Sequence, residues 1–450
     1  MKNIIFFLLC LMSVATGYAQ TDCRLTHKVA KKETIYGISH LYGISEQELV
    51  EANPQIAEKG LKKKMELCIP YSKAYRDSVR QEMEARLQAE RRAQLKGLKT
   101  IRLAVILPFS LNQATPTAED EKMVDFYRGV LLTVDSLKKE GVNLYIHTFD
   151  ESTANIRNVL REVEGQGADL IIGPGRPNNV NAVAAFAQMC HVPLVLPFTN
   201  SETIVSGRPY VFQCNTLQAN HYPKIFKRFA NYHKDDNVIV IDMEDRSGDS
   251  DYITYFTNAL RQNGINYKRV AFANIDEELV PIMSLSQNNA LVPSSVWAGS
   301  FDMLCLKLND LNLTADYRLQ LFGTPEWQTL TTKSQKNLLK YNATYFSTFF
   351  TNTLSTRTKR FCTLFEQSFG KAQYASYPRY AEMGHDISAF FLTALQRYGD
   401  KMTEYVHEHD YNSLQLPLHF VRKADQSGFV NTATYIISYK SDGSVNLNTF

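Results

Sequence analysis

Polar side chains that could hold a small ligand follow two apolar segments in the long C-terminal part of the chain. Arg176 and Asn178 come after LIIGPG, and Thr199 and Ser201 come after VPLVLPF. A guanidinium can hold an anion through two parallel hydrogen bonds, and a hydroxyl can donate one more. Arg176 therefore either pairs with an anionic ligand or stays a solvated loop residue.

A third set of candidate ligand-binding residues is acidic and aromatic. Asp249, Asp251 and Tyr252 lie in EDRSGDSDY, shortly after the apolar segment NVIVIDM. Their carboxylates could accept hydrogen bonds from a cationic group. They do not form a calcium loop, because Gly248 stands at the wrong offset for the sharp turn that such a loop requires.

The sequence lacks the motifs of common catalytic centres. It has no nucleophile elbow, no HExxH zinc motif, no glycine-rich phosphate loop and no CxxC pair. His407, His409 and Asp410 alternate in VHEHD, a pattern more typical of solvated residues at a surface turn than of metal ligands. We therefore expect a protein that is not an enzyme and that binds no metal or cofactor.

The composition is that of an ordinary globular protein. The chain has 450 residues, of which 44% are hydrophobic and 21% are charged, and its formal net charge is +3. This length allows two or three domains with sizeable cores. The chain lacks the strong basic excess of nucleic-acid-binding proteins, so we expect no nucleic acid partner.

Residues 1–19 have the layout of a cleavable export signal. Lys2 precedes an apolar run, and small residues lead up to a cleavage site after Ala19. The run is too short for a stable membrane anchor, and Leu9 before Cys10 is larger than the residue that a lipidation signal requires. We expect export across the inner membrane to the periplasm or cell envelope of a Gram-negative bacterium, with no integral membrane segment left after cleavage.

Residues 21–71 predict a small module made of a strand, two short helices and a return strand. RLTHKV alternates like a strand, and Gly43 is placed to end the first helix. Ser45 and Glu48 have the spacing of a capping box that begins the second helix. The segment NPQ then closes that helix, and MELCIP is the return strand.

An oxidising compartment makes disulfides plausible in this chain. Cys23 precedes the first strand of the small module and Cys68 lies in the second, so antiparallel pairing would bring the two thiols within bridging range. Such a bridge would contribute about 3 to 4 kcal/mol to stability. The alternative is two unpaired thiols. The pairing of the other four cysteines is open: Cys190, Cys214, Cys305 and Cys362.

The stretch from His27 to Pro70 resembles a LysM domain. The matching pairs are Thr34-Ile35, Tyr42-Gly43, Asn53-Pro54 and Ile69-Pro70. LysM domains bind N-acetylglucosamine chains of peptidoglycan or chitin through the turn after the first strand and the loop before the second. The resemblance implies a sugar groove formed by Glu33, Thr34, Ile35 and Tyr36 facing Asn53, Pro54, Gln55 and Ile56.

The chemistry of these two turns suits an acetylated sugar. Exposed backbone amides can hydrogen-bond an acetamido group, while Ile35 and Ile56 can contact its methyl group and the ring face. The sequence departs from the family at Lys32, which replaces the turn glycine. This departure matters because a residue with a side chain resists positive φ. The module therefore either binds glycan or serves as a spacer with the LysM fold.

Residues 72–100 predict a charged helical linker. Tyr75, Val79, Met83 and Leu87 recur every four residues along an otherwise charged helix. The helix would extend roughly 40 Å, enough to hold a wall-binding module away from a larger body. A solvated single helix and a paired coiled coil both fit this pattern.

Residues 101–450 alternate between strand and helix patterns, which predicts an α/β fold with two doubly wound lobes of parallel strands. Ligands of such folds bind beyond the carboxyl ends of the strands. Trp327 follows a strand and fits either that cleft or the core of a lobe. The loops expected at the cleft are 173–179, 197–201, 242–251 and 299–302.

The order of these elements resembles a type 1 periplasmic binding protein of the branched-chain amino-acid receptor kind. The resemblance rests on LIIGPG, VPLVLP, YAEMGHDISAFFLTALQRYG and the closing FVNTATYIISYKSDGSV. Members close two lobes on a small solute and serve as transport receptors, sensory domains or inactive scaffolds. The family binds a ligand carboxylate after the third and fourth strands and its ammonium with an acidic group in the other lobe. Here Arg176 and Asn178 stand where serines are expected, so the ligand pattern is altered.

Together these features predict a non-enzymatic envelope protein that binds peptidoglycan through its first module. Its body would recognise a small-molecule ligand or another envelope protein. The alternative is a periplasmic solute receptor for an amino acid or a similar small molecule, serving a transporter or a sensor.

Overall fold

The computed structural model describes residues 23–93, 95–112, 115–153, 155–201, 203–243, 250–311, 313, 316–353 and 355–450. The expected export signal at residues 1–19 and the candidate Asp249 lie outside the described residues. The chain forms two compact units that divide between Leu95 and Lys96. Every helix in the described ranges is too short or too polar to span a lipid bilayer.

The first unit contains a two-stranded antiparallel sheet and short helices. Its elements are β1 (Cys23–Lys28), α1 (Ile35–Tyr42), α2 (Glu46–Glu51), α3 (Gln55–Lys59), β2 (Glu66–Pro70) and α4 (Lys73–Ala93). Thr26 of β1 pairs with Cys68 of β2. The sequence predicts two helices between the strands, whereas the structure has a third, α3. Pro54 allows this extra turn because its φ of −56° is already helical.

Local signals in the sequence account for the helix ends of this module. The Thr34 hydroxyl accepts a hydrogen bond from the Gly37 amide at 3.0 Å and begins α1. Gly43 ends α1 with a φ of 66°, and Ser45 and Glu48 form the expected capping box. Lys32 adopts a φ of 73°, so the turn keeps the left-handed conformation although glycine is absent.

A small apolar core and one disulfide hold the module together. Leu49, Leu67 and Ile69 are fully buried in this core. Leu41 of α1 is 65% exposed and lies outside this core. Cys23 and Cys68 form a disulfide with a Cα–Cα distance of 5.3 Å, which joins the start of β1 to β2.

The second unit begins at Lys96, before the start expected at residue 101. The Leu98 amide donates to the Leu395 carbonyl at 3.1 Å, and Gly97 lies directly against the Gln396 carbonyl. The strands are β3 (Thr100–Leu107), β4 (Asn143–Asp150), β5 (Leu170–Ile172), β6 (Leu194–Leu196), β7 (Val211–Gln213), β8 (Asn237–Asp242), β9 (Tyr267–Ala271), β10 (Asn289–Pro293), β11 (Leu319–Gly323), β12 (Thr344–Ser347), β13 (Phe420–Arg422), β14 (Phe429–Asn431), β15 (Tyr435–Tyr439) and β16 (Val445–Thr449). The helices are α5 (Ala118–Lys139), α6 (Ile156–Gln166), α7 (Pro177–Cys190), α8 (Gln218–Tyr232), α9 (Ser250–Gln262), α10 (Ile275–Ile282), α11 (Ala298–Asp310), α12 (Thr332–Lys340), α13 (Thr356–Phe369), α14 (Tyr380–Tyr398) and α15 (Met402–Tyr405).

These strands form two seven-stranded, mostly parallel sheets, one in each lobe. The first sheet has the order β13-β14-β7-β6-β5-β3-β4, and the second has the order β16-β15-β12-β11-β10-β8-β9. Along the described residues the chain passes between the sheets after β7, after β12 and between β14 and β15. Fully apolar strands such as β5 and β6 are buried on both faces, as expected of parallel strands covered by helices.

Two helices of the first lobe cross at unusually close range. A Cβ atom on Gly129 of α5 would lie 1.9 Å from the Ala381 carbonyl oxygen, and one on Gly384 of α14 would lie 2.0 Å from the Phe126 carbonyl oxygen. Only glycine allows the two backbones to approach in this way.

In the second lobe, Trp327 is fully buried and its ring lies 4.6 Å from that of Phe301, so it belongs to the core.

Candidate functional site

The turn after β1 is held together by hydrogen bonds to the side chain of Glu33. The Glu33 carboxylate accepts hydrogen bonds from the Ala30 amide at 2.6 Å and from His27 Nε2 at 2.9 Å. The bond from Ala30, followed by that from His27, lowers the pKa of Glu33. The other ring nitrogen of His27 lies 2.9 Å from the Tyr42 hydroxyl. Glu33 therefore shapes the turn, with its carboxylate already engaged.

The exposed part of this turn is formed by Thr34 and Tyr36. Tyr36 is 64% exposed, and its ring centroid lies 5.9 Å from that of His40 in a stacked arrangement. Ile35 is half-buried and packs against the core of the module. An exposed aromatic ring beside the free edge of a turn is a suitable surface for a sugar ring.

The second half of the predicted groove differs from the expectation. Asn53 is buried, and its amide group donates to the Leu49 carbonyl at 2.8 Å and to the Cys68 carbonyl at 2.7 Å. Its carbonyl oxygen accepts from the Cys68 amide at 2.7 Å. Ile56 is 5% exposed and belongs to the core, so the expected contact between Ile56 and a sugar is wrong.

Asn53 and Ile56 thus position the turn from within, Asn53 through its hydrogen bonds and Ile56 through its place in the apolar core. Pro54 is exposed, and Gln55 is half-buried with its amide 3.3 Å from the Asn53 side-chain oxygen. Ile35 packs against the same core cluster that contains Ile56, which connects the two predicted halves of the groove. The residues that can meet a ligand are therefore Thr34, Tyr36, Pro54 and, in part, Ile35 and Gln55.

In the first lobe, a buried carboxylate accepts hydrogen bonds from the groups at the start of helix α7. Glu151 lies just past the carboxyl end of β4 and is 3% exposed. One carboxylate oxygen accepts from the amides of Gly175 at 2.6 Å and Arg176 at 2.9 Å, and the other accepts from the Asn179 side chain at 2.6 Å. Burial raises the pKa of Glu151, although these three donors and the nearby Arg176 charge oppose the rise. Glu151 was not among the predicted site residues, yet its position directly after a predicted strand was a usable signal.

The predicted hydroxyls lie together, but the predicted cation does not join them. Thr199 and Ser201 line a cavity of about 460 Å³ at the carboxyl ends of β5 and β6. The cationic side chain that lines this cavity is that of Arg208, whose guanidinium donates to the Asn181 side-chain oxygen at 3.1 Å. Arg176 and Asn178 are exposed and outside this lining.

The second lobe contributes less than expected from its acidic segment. Tyr252 is fully buried among Phe226 and Phe256, so its predicted place in the ligand cleft is wrong. Helix α9 already begins at Ser250, and residues spaced by four from Tyr252 face the lobe core. Asp251 is exposed in the first turn of the same helix.

An exposed tryptophan lies at the carboxyl end of the second sheet. Trp297 follows β10 and is 52% exposed. Its ring covers Gly299, where a Cβ atom would lie 2.2 Å from the indole. The sequence predicts that the loop at 299–302 lies at the cleft, but it does not single out Trp297. An aromatic residue two positions ahead of that loop could have signalled it.

The VHEHD segment also differs from the expectation. His409 is buried rather than solvated, and its Nε2 lies 3.0 Å from the Thr393 hydroxyl. Burial lowers the pKa of His409 to about 4. In the described ranges, no group of three or more His, Cys, Asp or Glu side chains is arranged to hold a metal ion.

Comparison with known proteins separates the two units. Residues 27–70 match the LysM domain family. A search of curated proteins finds no match for the chain. The body resembles solved structures of low sequence identity, and a putative branched-chain amino acid ABC transporter from Rhodospirillum rubrum has 13% identity and a TM-score of 0.54, with 78% of this chain and 100% of that chain covered.

Two further structures are similar at lower TM-scores. A branched-chain amino acid ABC transporter periplasmic ligand-binding protein from Burkholderia xenovorans has 13% identity and a TM-score of 0.47, with 78% of this chain and 95% of that chain covered. An ABC transporter substrate-binding protein from Desulfitobacterium hafniense in complex with Leu has 14% identity and a TM-score of 0.41, with 78% and 100% covered. At 13% identity, the likeness to the Rhodospirillum rubrum structure shows the fold alone. Residues 27–70 therefore belong to the LysM family, and the body has the type 1 periplasmic binding protein fold.

Proposed function

We propose that this protein is a non-enzymatic component of the cell envelope that binds peptidoglycan through its LysM domain. The match of residues 27–70 to the LysM family carries the proposal. The export signal expected at residues 1–19 and the disulfide between Cys23 and Cys68 support a location in the periplasm of a Gram-negative bacterium. The body then serves to recognise a ligand or a partner protein beside the wall.

The geometry of the LysM turns supports glycan binding by preorganisation. Glu33 and Asn53 fix the two turns through hydrogen bonds to the backbone, so little order is left to be gained on binding. Tyr36 then offers an exposed ring to a sugar face, next to the Thr34 end of helix α1.

The test is binding of the full chain to purified sacculi and to chitohexaose. Tyr36→Ala is expected to weaken both interactions several-fold, because it removes the exposed ring while the core stays intact. Leu41→Ala is the matched control, since Leu41 is 65% exposed on the same helix and lies about 140° further around it. A chain that begins at Ser72 should no longer sediment with sacculi. Equal sedimentation of the full and shortened chains would exclude the LysM domain as the anchor.

For the body we favour recognition of a partner protein over capture of an amino acid. The amides that open helix α7 could hold a ligand carboxylate, but they donate to Glu151. A free carboxylate would have to displace a tethered one that is already buried and triply hydrogen-bonded. The body is thus better suited to act as a scaffold than as an amino-acid receptor.

The alternative function is a periplasmic solute receptor for an amino acid or a similar small molecule. It is favoured by the cavity of about 460 Å³ that contains Thr199, Ser201 and Arg208. Melting curves recorded with a panel of amino acids distinguish the two functions, because a ligand at a hundredfold excess over its Kd stabilises the folded state by about 2.7 kcal/mol. A shift with one amino acid would support the receptor, and no shift across the panel would support the scaffold.

A further inference from the structure

The LysM domain presents lysines on two neighbouring turns. The Val29 carbonyl accepts a hydrogen bond from the Lys64 amide at 2.8 Å, and the Val29 amide donates to the Met65 carbonyl at 2.9 Å. This pairing continues the ladder of β1 and β2, so the turn that follows β1 lies beside the turn that precedes β2. We name the exposed lysines of these turns the lysine patch: Lys31, Lys32, Lys62, Lys63 and Lys64.

Nearby carboxylates offset less than half of this charge. Glu33 follows Lys32 directly, and its ionised carboxylate, held by the Ala30 amide and the His27 ring, balances at most one of the five charges. Glu66, two residues beyond Lys64, is exposed and balances at most one of the five charges. The lysine patch therefore presents a concentrated positive charge to solvent, which favours an anionic partner.

Backbone conformation gives a second, independent indication that these side chains matter. Lys32 has a φ of 73° and Lys64 has a φ of 69°. A residue with a side chain is strained in this region, and glycine is not. Each of the two turns thus keeps a lysine at the position where glycine would be less strained.

We propose that the lysine patch binds the carboxylates of the peptides attached to peptidoglycan glycan strands, so that the domain prefers peptide-bearing glycan to neutral glycan. The inference rests on the proposed function, because Lys31 and Lys32 lie in the turn after β1, just ahead of Thr34 and Tyr36, which would hold the sugar. A glycan strand bound at that turn would bring its peptide substituents next to the lysine patch. Attraction between exposed charges is screened beyond about 10 Å at 0.1 M salt, so this preference should weaken as salt is added.

The test uses the full chain with Lys32→Gly and Lys64→Gly combined. These changes remove two charges and relieve backbone strain, so the melting temperature should stay the same or rise. Binding to peptide-bearing sacculi should weaken about three- to tenfold at low salt, in line with the modest strength of exposed ion pairs. The difference should vanish at high salt, and binding to neutral chitohexaose should be unchanged. A second variant, Lys31→Gln with Lys63→Gln, should behave alike without altering the strained positions.

The control is Lys333→Gln with Lys336→Gln on α12 of the body, which removes the same charge from an exposed helix. It should leave binding to sacculi unchanged. Unaltered sacculus binding by both patch variants, or equal affinity of the wild-type protein for intact sacculi and for glycan stripped of peptides, would overturn the proposal. Stronger binding to vesicles of anionic phospholipid than to sacculi would also overturn it. Salt-dependent sacculus binding without any chitohexaose binding would support the lysine patch while refuting the sugar groove.

Discussion

The Glu151 carboxylate accepts a hydrogen bond from the Gly175 amide at 2.6 Å, which ties the end of β4 to the start of helix α7. An amide at a helix start attracts negative charge, and this body supplies that charge from its own chain. Gly175 has no room for a side chain, because a Cβ atom there would lie 2.5 Å from the Pro108 ring and 3.3 Å from a Glu151 oxygen. The corner of the first lobe is therefore closed by an internal carboxylate.

Replacing Glu151 with alanine should open an anion site. The change leaves the donors on Gly175, Arg176 and Asn179 without their acceptor, and we expect a loss of about 2 to 3 kcal/mol in the free energy of unfolding. Acetate or formate should then raise the melting temperature of the variant more than that of the wild-type protein. Glu162→Ala, at an exposed position of α6, is the control and should show neither effect. A variant that is as stable as the wild type, or indifferent to acetate, would contradict this role of Glu151.

Protonation of His385 should contribute a loss of stability of the body in acid. Burial lowers the pKa of His385 to about 4, below the ordinary value of about 6.5 that the unfolded chain retains. The neutral ring contributes stability above the unfolded pKa, and this contribution is lost as the pH falls from about 6.5 to about 4, up to about 3 kcal/mol.

The measurement is urea unfolding of the wild-type protein and of His385→Asn across this pH range. The substituted amide would keep an acceptor near the Thr133 hydroxyl, which lies 2.9 Å from His385 Nδ1. Relative to the wild-type protein, we expect the free energy of unfolding of the variant to decrease less across this pH range. The difference should equal the contribution of one histidine. His221 and His409, whose pKa values are also lowered to about 4 by burial, keep part of the fall in both proteins. If the free energies of unfolding of the two proteins showed the same pH dependence, His385 would not be a source of the acid-induced loss.

The crossing of α5 and α14 should not tolerate a methyl group. Gly384→Ala would place a Cβ atom 2.0 Å from the Phe126 carbonyl oxygen, and such overpacking typically costs about 1 to 3 kcal/mol. Gly165→Ala in α6 is a matched control because a Cβ atom there would meet no described neighbour within 4 Å, and it should raise stability by up to about 1 kcal/mol. Thermal unfolding of both variants decides the matter. Equal melting temperatures would show that the helices can move apart at no cost.

Removal of the disulfide should affect the LysM domain and leave the body intact. The bridge between Cys23 and Cys68 spans 45 residues of sequence, and opening a loop of this length costs about 4 kcal/mol. The double variant Cys23→Ser with Cys68→Ser should therefore lower the LysM unfolding transition seen by calorimetry, while the transition of the body stays in place. Cys190→Ser, at a half-buried free cysteine of the body, serves as the control. A reducing agent should reproduce the effect in the wild-type protein and add nothing in the double variant.

Local signals in the sequence were sufficient wherever neighbours along the chain decide the structure. Gly43 ends α1, Ser45 and Glu48 cap α2, and the buried strands β5 and β6 follow directly from their unbroken apolar runs. The alternation of strands and helices also predicted the two doubly wound lobes. Each of these features depends on backbone geometry or on the local spacing of apolar residues.

Side-chain direction, by contrast, depended on contacts between distant segments. The sequence predicts that Tyr252 and Ile56 contact a ligand, but in the folded protein both side chains are packed in a core. Of the two tryptophans, Trp297 is exposed and Trp327 is buried. Glu151 meets Gly175 only because the parallel strands β4, β3 and β5 end at one edge of the sheet. The sequence by itself determined the two folds and the capped ends of α1 and α2, whereas only the tertiary structure decided which polar groups satisfy one another. The reason is that a buried donor or acceptor must find its partner in space, and that partner lies far away along the chain.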